Sequence, residues 1–243
     1  MGFPEVKPGD DLVAFTLAAV ERGRMLLQPG DIFVYTQKIV SKAEDRLIRL
    51  DTVSPSALAR AWGKACSKDP RVIELALGEA ARIVRMERGV LITETRQGFV
   101  CANSAVDTSN VRPGEATRLP LDPDDSARRL CTALRTAFRI PVGVVISDTF
   151  GRPWREGQVN VAIGAAGLRP IIDYRDTVDR HGQPLRFTAI AVADELTSAA
   201  ELVMGKTRGI PAAVVQGTDL GIAGVDEWSG RDLLRRRDQD LFR

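Results

Sequence analysis

The sequence is poor in the residues that most often advertise chemistry. It contains one histidine, His181, and three cysteines, Cys66, Cys101 and Cys131, with no C-x-x-C pair among them. His181 sits in the polar stretch DRHGQP, which reads as a surface turn rather than a catalytic base. A structural zinc site or a two-histidine metal site is therefore excluded, and any bound metal must rely on oxygen ligands, which suits Mg²⁺ or Mn²⁺. Sparse, odd-numbered cysteines read as reduced thiols packed as small hydrophobes. The net charge of +2 provides no strong field for nucleic acid. No apolar run approaches the roughly 20 residues that span a bilayer. The N-terminus, MGFPEVKPGDD, lacks the basic and apolar regions of a signal peptide, so a cytoplasmic protein is expected. Internal repeats and low-complexity linkers are also missing.

What is present is ordinary globular material: 243 residues, 44% hydrophobic and 27% charged, enough for one large domain or two modest ones. Pro8-Gly9-Asp10-Asp11 is helix-start chemistry before the helical spacing of LVAFTLAAVERGRMLL. After the turn at Gln28 to Asp31, IFVYTQKIV predicts a strand running directly into SKAED. SPSALARAWGKACS and PRVIELALGEAARIVR predict two helices, and VLITET with GFVCAN predicts a hairpin. A helix is expected over SARRLCTALRTAFR and a strand over GVVISDT. A short strand then leads into a helix over RFTAIAVADELTSAAELVMG, and AAVVQGT is a last strand. Strands and helices mix without regular βα alternation, which predicts a two-domain mixed α+β chain and no Rossmann fold. The boundary is set between an N-terminal part, 1–80, and a C-terminal part, 81–243.

Polar clusters follow the strand-like segments, where a rigid sheet can aim a mobile loop. Asp107 in ANSAVDTSN and Asp148 in SDTFGRP are each surrounded by small hydroxyl or amide groups rather than by lysines. Two carboxylates brought together repel unless a cation lies between them, and hard divalent cations take such oxygen ligands. Asn110 adds a donor and an acceptor beside them. Each aspartate taken alone is equally readable as a turn cap. Cationic candidates are Lys42, Arg46, Arg152 and Arg155, the last two in a predicted loop around Trp154, whose ring is expected to bury and pin it. Acids for a metal and bases for phosphates form the general plan of phosphoryl transfer.

Two other readings fail. Gly205-Lys206-Thr207 mimics the end of a P-loop, but that pattern needs glycine at position 200, which is Ala200, and a preceding strand rather than a helix. Ser147 and Thr149 lack a G-x-S-x-G elbow and a histidine base, so a serine-type hydrolase is excluded.

The stretches PGDDL, DIFVYTQKIVSKAEDR, ETRQGFVCANSAVDTSNV, ISDTFGRPWREGQVNVAIG, AVADELTSAAELVMGK and AAVVQG together resemble the coenzyme F420 γ-glutamyl ligase family over nearly the whole chain. The resemblance implies a GTP-dependent amide-bond synthetase that adds L-glutamate to coenzyme F420-0 through an acyl phosphate, with room for further γ-linked glutamates to follow, and that acts as a homodimer. It implies that Asp107 and Asp148 bind one divalent metal (Mg²⁺ or Mn²⁺) and that Thr149 helps with a second. The nucleotide would meet Phe3, Pro4, Glu5 and Val6, then Ser41, Lys42 and Arg46, with Asn110 and the segment from Met204 through Gly205 and Lys206 to Pro211. Lys206 falls where relatives are expected to carry an oxygen ligand, and an ammonium cannot coordinate a cation. A requirement for K⁺ is left open. Arg152 and Arg155 are assigned to phosphate or to the acidic substrates. The rival readings are a related ligase for another acid and amine, and a non-catalytic nucleotide- or flavin-binding protein.

Overall fold

The computed structural model describes residues 2–241. The chain runs α1 (Leu12–Arg22), β1 (Ile32–Thr36), α2 (Gln37–Ala43), β2 (Leu47–Arg49), α3 (Ala57–Cys66) and α4 (Pro70–Glu79). It continues through β3 (Ala80–Glu87), β4 (Val90–Thr95), β5 (Val100–Ala102), β6 (Glu115–Thr117), α5 (Pro123–Phe138), β7 (Gly143–Arg152) and β8 (Arg155–Ala166). Four two-residue strands, β9 (Ile172–Asp173), β10 (Thr177–Val178), β11 (Pro184–Leu185) and β12 (Ala189–Ile190), precede α6 (Val192–Met204) and β13 (Ala212–Val215).

The central sheet has the order β13-β1-β7-β8, with β1 parallel to β7 and the other pairs antiparallel. Both of its faces are covered over β1, β13, the start of β7 and the end of β8, which is why those stretches are apolar at nearly every position rather than at alternate ones. Phe33, Tyr35, Val144 and Ile146 pack on one side with Leu12 and Val20 of α1 and Leu130 and Leu134 of α5. Ile32, Val34 and Val145 pack on the other with Leu196, Ala200 and Met204 of α6. Gly164 of β8 lets α5 approach: a Cβ there would meet Pro123 O at 2.4 Å. The architecture is the expected mixed α+β arrangement.

A second lobe grows from the middle of the chain. Its core joins Leu50, Ala59, Ile73 and Ala76 to Leu91, Val106 and Ala116. Residues from both sides of position 80 therefore share this core, and β1 is likewise flanked by β7 and β13 from the later half.

Three local expectations are corrected. The strand predicted over residues 32–40 ends at Thr36, and Gln37 begins a helix. The β-branched pair Ile39-Val40 suggested a strand, but both side chains face the core from one helical face. The helix predicted over residues 70–85 ends at Glu79, and Ala80–Glu87 pairs with β4 across an Arg88-Gly89 turn. Both turn residues have positive φ (51° and 75°), the geometry that matches strand twist in a two-residue hairpin. Third, the segment holding Arg152 and Arg155 is not a loop. β7 and β8 pair up to Arg152↔Arg155, leaving only Pro153 and Trp154 at the tip. Trp154 is 81% exposed there, so it does not pin the segment by burying its ring.

Candidate active site

The parallel strands β1 and β7 both release the chain at the same end of the sheet, the end at which open sheets commonly bind ligands. A cavity of about 470 Å³ lies there. Its lining includes Phe3 to Val6, Lys38 and Lys42 of α2, Asp107 and Asn110, Asp148 and Thr149 of β7, Asn160 of β8, and Glu201 of α6. Met204, Gly205, Lys206 and the segment from Gly209 to Pro211 complete the lining. Gly205 caps α6 at φ 60° and turns the chain so that Lys206 follows along the rim.

Asp107 and Asp148 thus share one cavity although 41 positions separate them in the chain. Their environments differ. Asp148 is fixed in the sheet ladder, and burial pushes its carboxyl up to about 7. The Thr149 N–H donates to Asp148 Oδ1 at 2.8 Å, which holds the value down, while the charge of Asp107 raises it further. Asp107 follows a tight turn in which Asn103, Ser104 and Ala105 all have positive φ. Burial tends to raise its carboxyl too, but the Lys38 ammonium and the N–H and hydroxyl of Ser109 outweigh it and hold the group below its ordinary value.

Lys38 is the cation that sequence reasoning missed. Its Nζ donates to Asp107 Oδ2 at 2.5 Å, to Ser109 O at 2.5 Å and to Ser109 Oγ at 3.0 Å. Burial, followed by repulsion from Lys206, lowers its basicity against the pull of Asp107. Lys38 and Lys42 are one turn apart on α2 and both line the cavity, a pairing that strand geometry over residues 32–40 concealed. Lys42 Nζ donates to Glu5 Oε1 at 2.6 Å, tying the N-terminal segment over the cavity wall. Asn110 Nδ2 donates to Lys206 O at 3.4 Å, joining the loop after Asp107 to the end of α6.

Other candidates stand elsewhere. Ser41 is buried behind the wall and donates to Gln37 Oε1 at 2.8 Å. Arg46 is buried between the lobes, donating to Leu119 O at 2.8 Å and to Glu79 at 3.2 Å. Arg152 donates to Glu156 O at 2.6 Å near the hairpin tip, and Arg155 is exposed on the opposing strand. None of these four is in the cavity lining. His181 lies exposed in a turn, and Cys101 and Cys131 are buried free thiols. Burial pushes the Cys101 thiol up to about 12, far from a reactive thiolate.

Among the described residues no three His, Cys, Asp or Glu side chains cluster closely enough to cage an ion. The cavity nonetheless offers the Asp107 and Asp148 carboxylates and the Thr149 hydroxyl, all of them oxygen ligands, with Glu5 and Glu201 also in its lining. That chemistry fits Mg²⁺ or Mn²⁺, whose charge would offset the burial and, after it, the Asp107 repulsion that raise Asp148. Ammonium groups from α2 and Lys206 face it, so the cavity can accept an anion together with its counter-cation. No helix among the described residues is long and apolar enough to cross a membrane.

Comparison with known proteins gives the family. Residues 1–217 match the family described as F420-0:Gamma-glutamyl ligase. The coenzyme F420:L-glutamate ligase of Methanothermobacter thermautotrophicus is 44% identical over 243 residues, covering 100% of this chain and 96% of that protein. The protein of the same name from Methanopyrus kandleri is 44% identical over 241 residues, 98% of this chain and 94% of the relative. That from Methanocaldococcus jannaschii is 40% identical over 218 residues, 89% and 86% of the two chains. A family match over most of the chain, together with identities above 40% at nearly full length, leaves one conclusion: this chain belongs to the F420-0:gamma-glutamyl ligase family.

Proposed function

We propose that this protein joins L-glutamate to coenzyme F420-0 at the expense of GTP, through an acyl phosphate. The observation that carries the reading is the opposition, within one cavity, of Asp107 and Asp148 to the ammonium groups of Lys38, Lys42 and Lys206. A carboxylate is a poor acyl donor, so one oxygen of the F420-0 carboxylate takes the γ-phosphoryl group as the β–γ P–O bond breaks and GDP leaves. The glutamate amine then attacks the acyl carbon, the C–O bond to phosphate breaks, and the amine loses a proton as the amide forms. Phosphate is released.

No protein nucleophile is required, and the work falls to positioning and charge neutralisation. Lys42 and Lys206 counter the phosphates, with Phe3 to Val6 and Asn110 closing around the nucleotide. Asp107, Asp148 and Thr149 would hold Mg²⁺ or Mn²⁺, which neutralises charge on transferring phosphates when bound. Lys206, unable to ligate, supplies positive charge where a second ion would otherwise do so. Arg152 and Arg155 are assigned to the acidic substrates, so their alanine variants should raise KM or lower kcat; wild-type kinetics would remove them from the scheme. The same reading includes a cytoplasmic homodimer, to be checked by light scattering.

Incubation of the protein with F420-0, L-glutamate, GTP and Mn²⁺, read by mass spectrometry, tests the reaction. Mass increments of glutamyl residues, with GDP formed in step, are the expected result, and their number reports tail length. An unchanged F420-0 mass rejects it, and equal turnover with ATP rejects the assignment of GTP.

A further inference from the structure

Behind Thr149 lies a polar pair that the scheme above leaves unused. Asn160 of β8 stands directly opposite Thr149 in the β7–β8 ladder and is only 3% exposed. Its amide is held at both ends. Nδ2 donates to Glu201 Oε2 at 3.0 Å, and Oδ1 accepts from Thr149 Oγ1 at 2.8 Å. The Asn160 backbone carbonyl accepts from the hydroxyls of Thr197 and Ser198, each at 2.9 Å, so α6 is clamped to β8 at this residue.

The direction of each bond follows from what the groups can do. A carboxylate has no hydrogen to give, so the Asn160 NH₂ must face Glu201. The amide oxygen then faces Thr149, and since it only accepts, the threonine hydroxyl must donate. That hydroxyl has one hydrogen, now committed away from the cavity. Thr149 and Glu201 both line the cavity, so what Thr149 Oγ1 has left to offer there is lone-pair density.

We propose that Glu201 and Asn160 are positioning residues that lock the Thr149 hydroxyl as an acceptor, setting it to ligate a divalent cation rather than to donate to substrate. The inference rests on the metal-dependent reading above and deepens it. Partners that orient a ligand from behind are worth roughly 10- to 100-fold in metal affinity. Glu201→Gln is nearly the same shape but no longer dictates the direction of these bonds, because its amide carries a donor as well as an acceptor. The glutamine NH₂ can donate to Asn160 Oδ1, the asparagine amide turns over, and its NH₂ then donates to Thr149, whose hydrogen swings into the cavity.

The test is calorimetric titration with Mn²⁺ alone of wild type, Glu201→Gln, Thr149→Val and the double variant, with thermal melts to confirm folding. We expect Glu201→Gln to weaken Mn²⁺ binding about tenfold and to have no further effect once Thr149 is valine. Thr149→Ser, which keeps the hydroxyl, should bind as wild type does. The proposal is overturned if wild type binds no Mn²⁺, if Glu201→Gln binds like wild type, or if its loss persists undiminished in the Thr149→Val background. That last outcome would make Glu201 a direct ligand. Glutamylation by wild type without coupling in the cycle rejects this inference alone. Coupling without glutamylation rejects the assigned reaction and keeps the inference.

Discussion

Asp107 and Asp148 meet the same cavity from opposite kinds of backbone. Asp148 extends from a ten-residue strand locked between two neighbours, and among the described residues no salt bridge holds its carboxylate. Asp107 hangs on a turn of left-handed residues and is already paired with Lys38. One carboxyl is pushed up to about 7 and the other held down. Identical side chains lining one cavity thus have different electrostatic states. Under the proposed metal-dependent reading, the sheet would supply a fixed, buried ligand, and the loop one that must exchange a resident ammonium for an ion.

The largest expected effect treats the two alike. Asp148→Asn and Asp107→Asn should each lower the glutamylation rate by about 10³-fold or more, because both charges are needed against the ion. Their stabilities without metal should separate them. Asp148→Asn removes a buried charge and should raise the melting temperature at pH 8. Asp107→Asn strands the Lys38 ammonium, whose side chain is 12% exposed, and should cost about 1–3 kcal/mol in urea unfolding. Parallel stability changes would end the contrast.

Lys38→Met sharpens it from the cationic side. Without its internal competitor, Asp107 should bind Mn²⁺ about tenfold more tightly in the absence of nucleotide, an effect of about 1.4 kcal/mol. Turnover should nevertheless fall, since the displaced ammonium is no longer available to the phosphates. Unchanged Mn²⁺ affinity would mean that Lys38 does not compete.

The smallest effect is in pH. Asp148 has a folded value of about 7 against an ordinary 3.8, so between these limits the folded protein holds a proton that the unfolded chain has lost. Metal-free stability should therefore fall as pH rises from about 4 through about 7 and then level, by linkage. Asp148→Asn should flatten that slope. Chemical denaturation at pH 5, 6, 7 and 8 reads it, and a slope equal in both proteins would contradict the assignment.

Much of this site was legible in the sequence because its acids come with recognisable company. Asp107 and Asp148 are flanked by serine, threonine and asparagine after apolar runs, and both reach the cavity. The N-terminal segment and the turn after α6 reach it too. Lys38 was hidden by a wrong period: a strand over residues 32–40 separates it from Lys42, whereas a helix from Gln37 puts both on one face. Asn160 and Glu201 were silent for a different reason. Each is an isolated polar residue within a regular element, and only the β7–β8 register and the approach of α6 give them a shared partner. The arginine segment misled because glycine, proline and tryptophan together resemble a loop, whereas only two residues are needed to turn a long hairpin. The core of the second lobe is assembled from contacts across position 80, pairings that no local pattern encodes.

A crystal of the protein grown with GDP and Mn²⁺, phased to show manganese by its anomalous scattering, bears most directly on all of this. An anomalous peak within coordination distance of both Asp107 and Asp148, with Lys38 turned away toward phosphate, is the predicted result. Carboxylates apart and free of manganese, with Lys38 still on Asp107, would contradict the account.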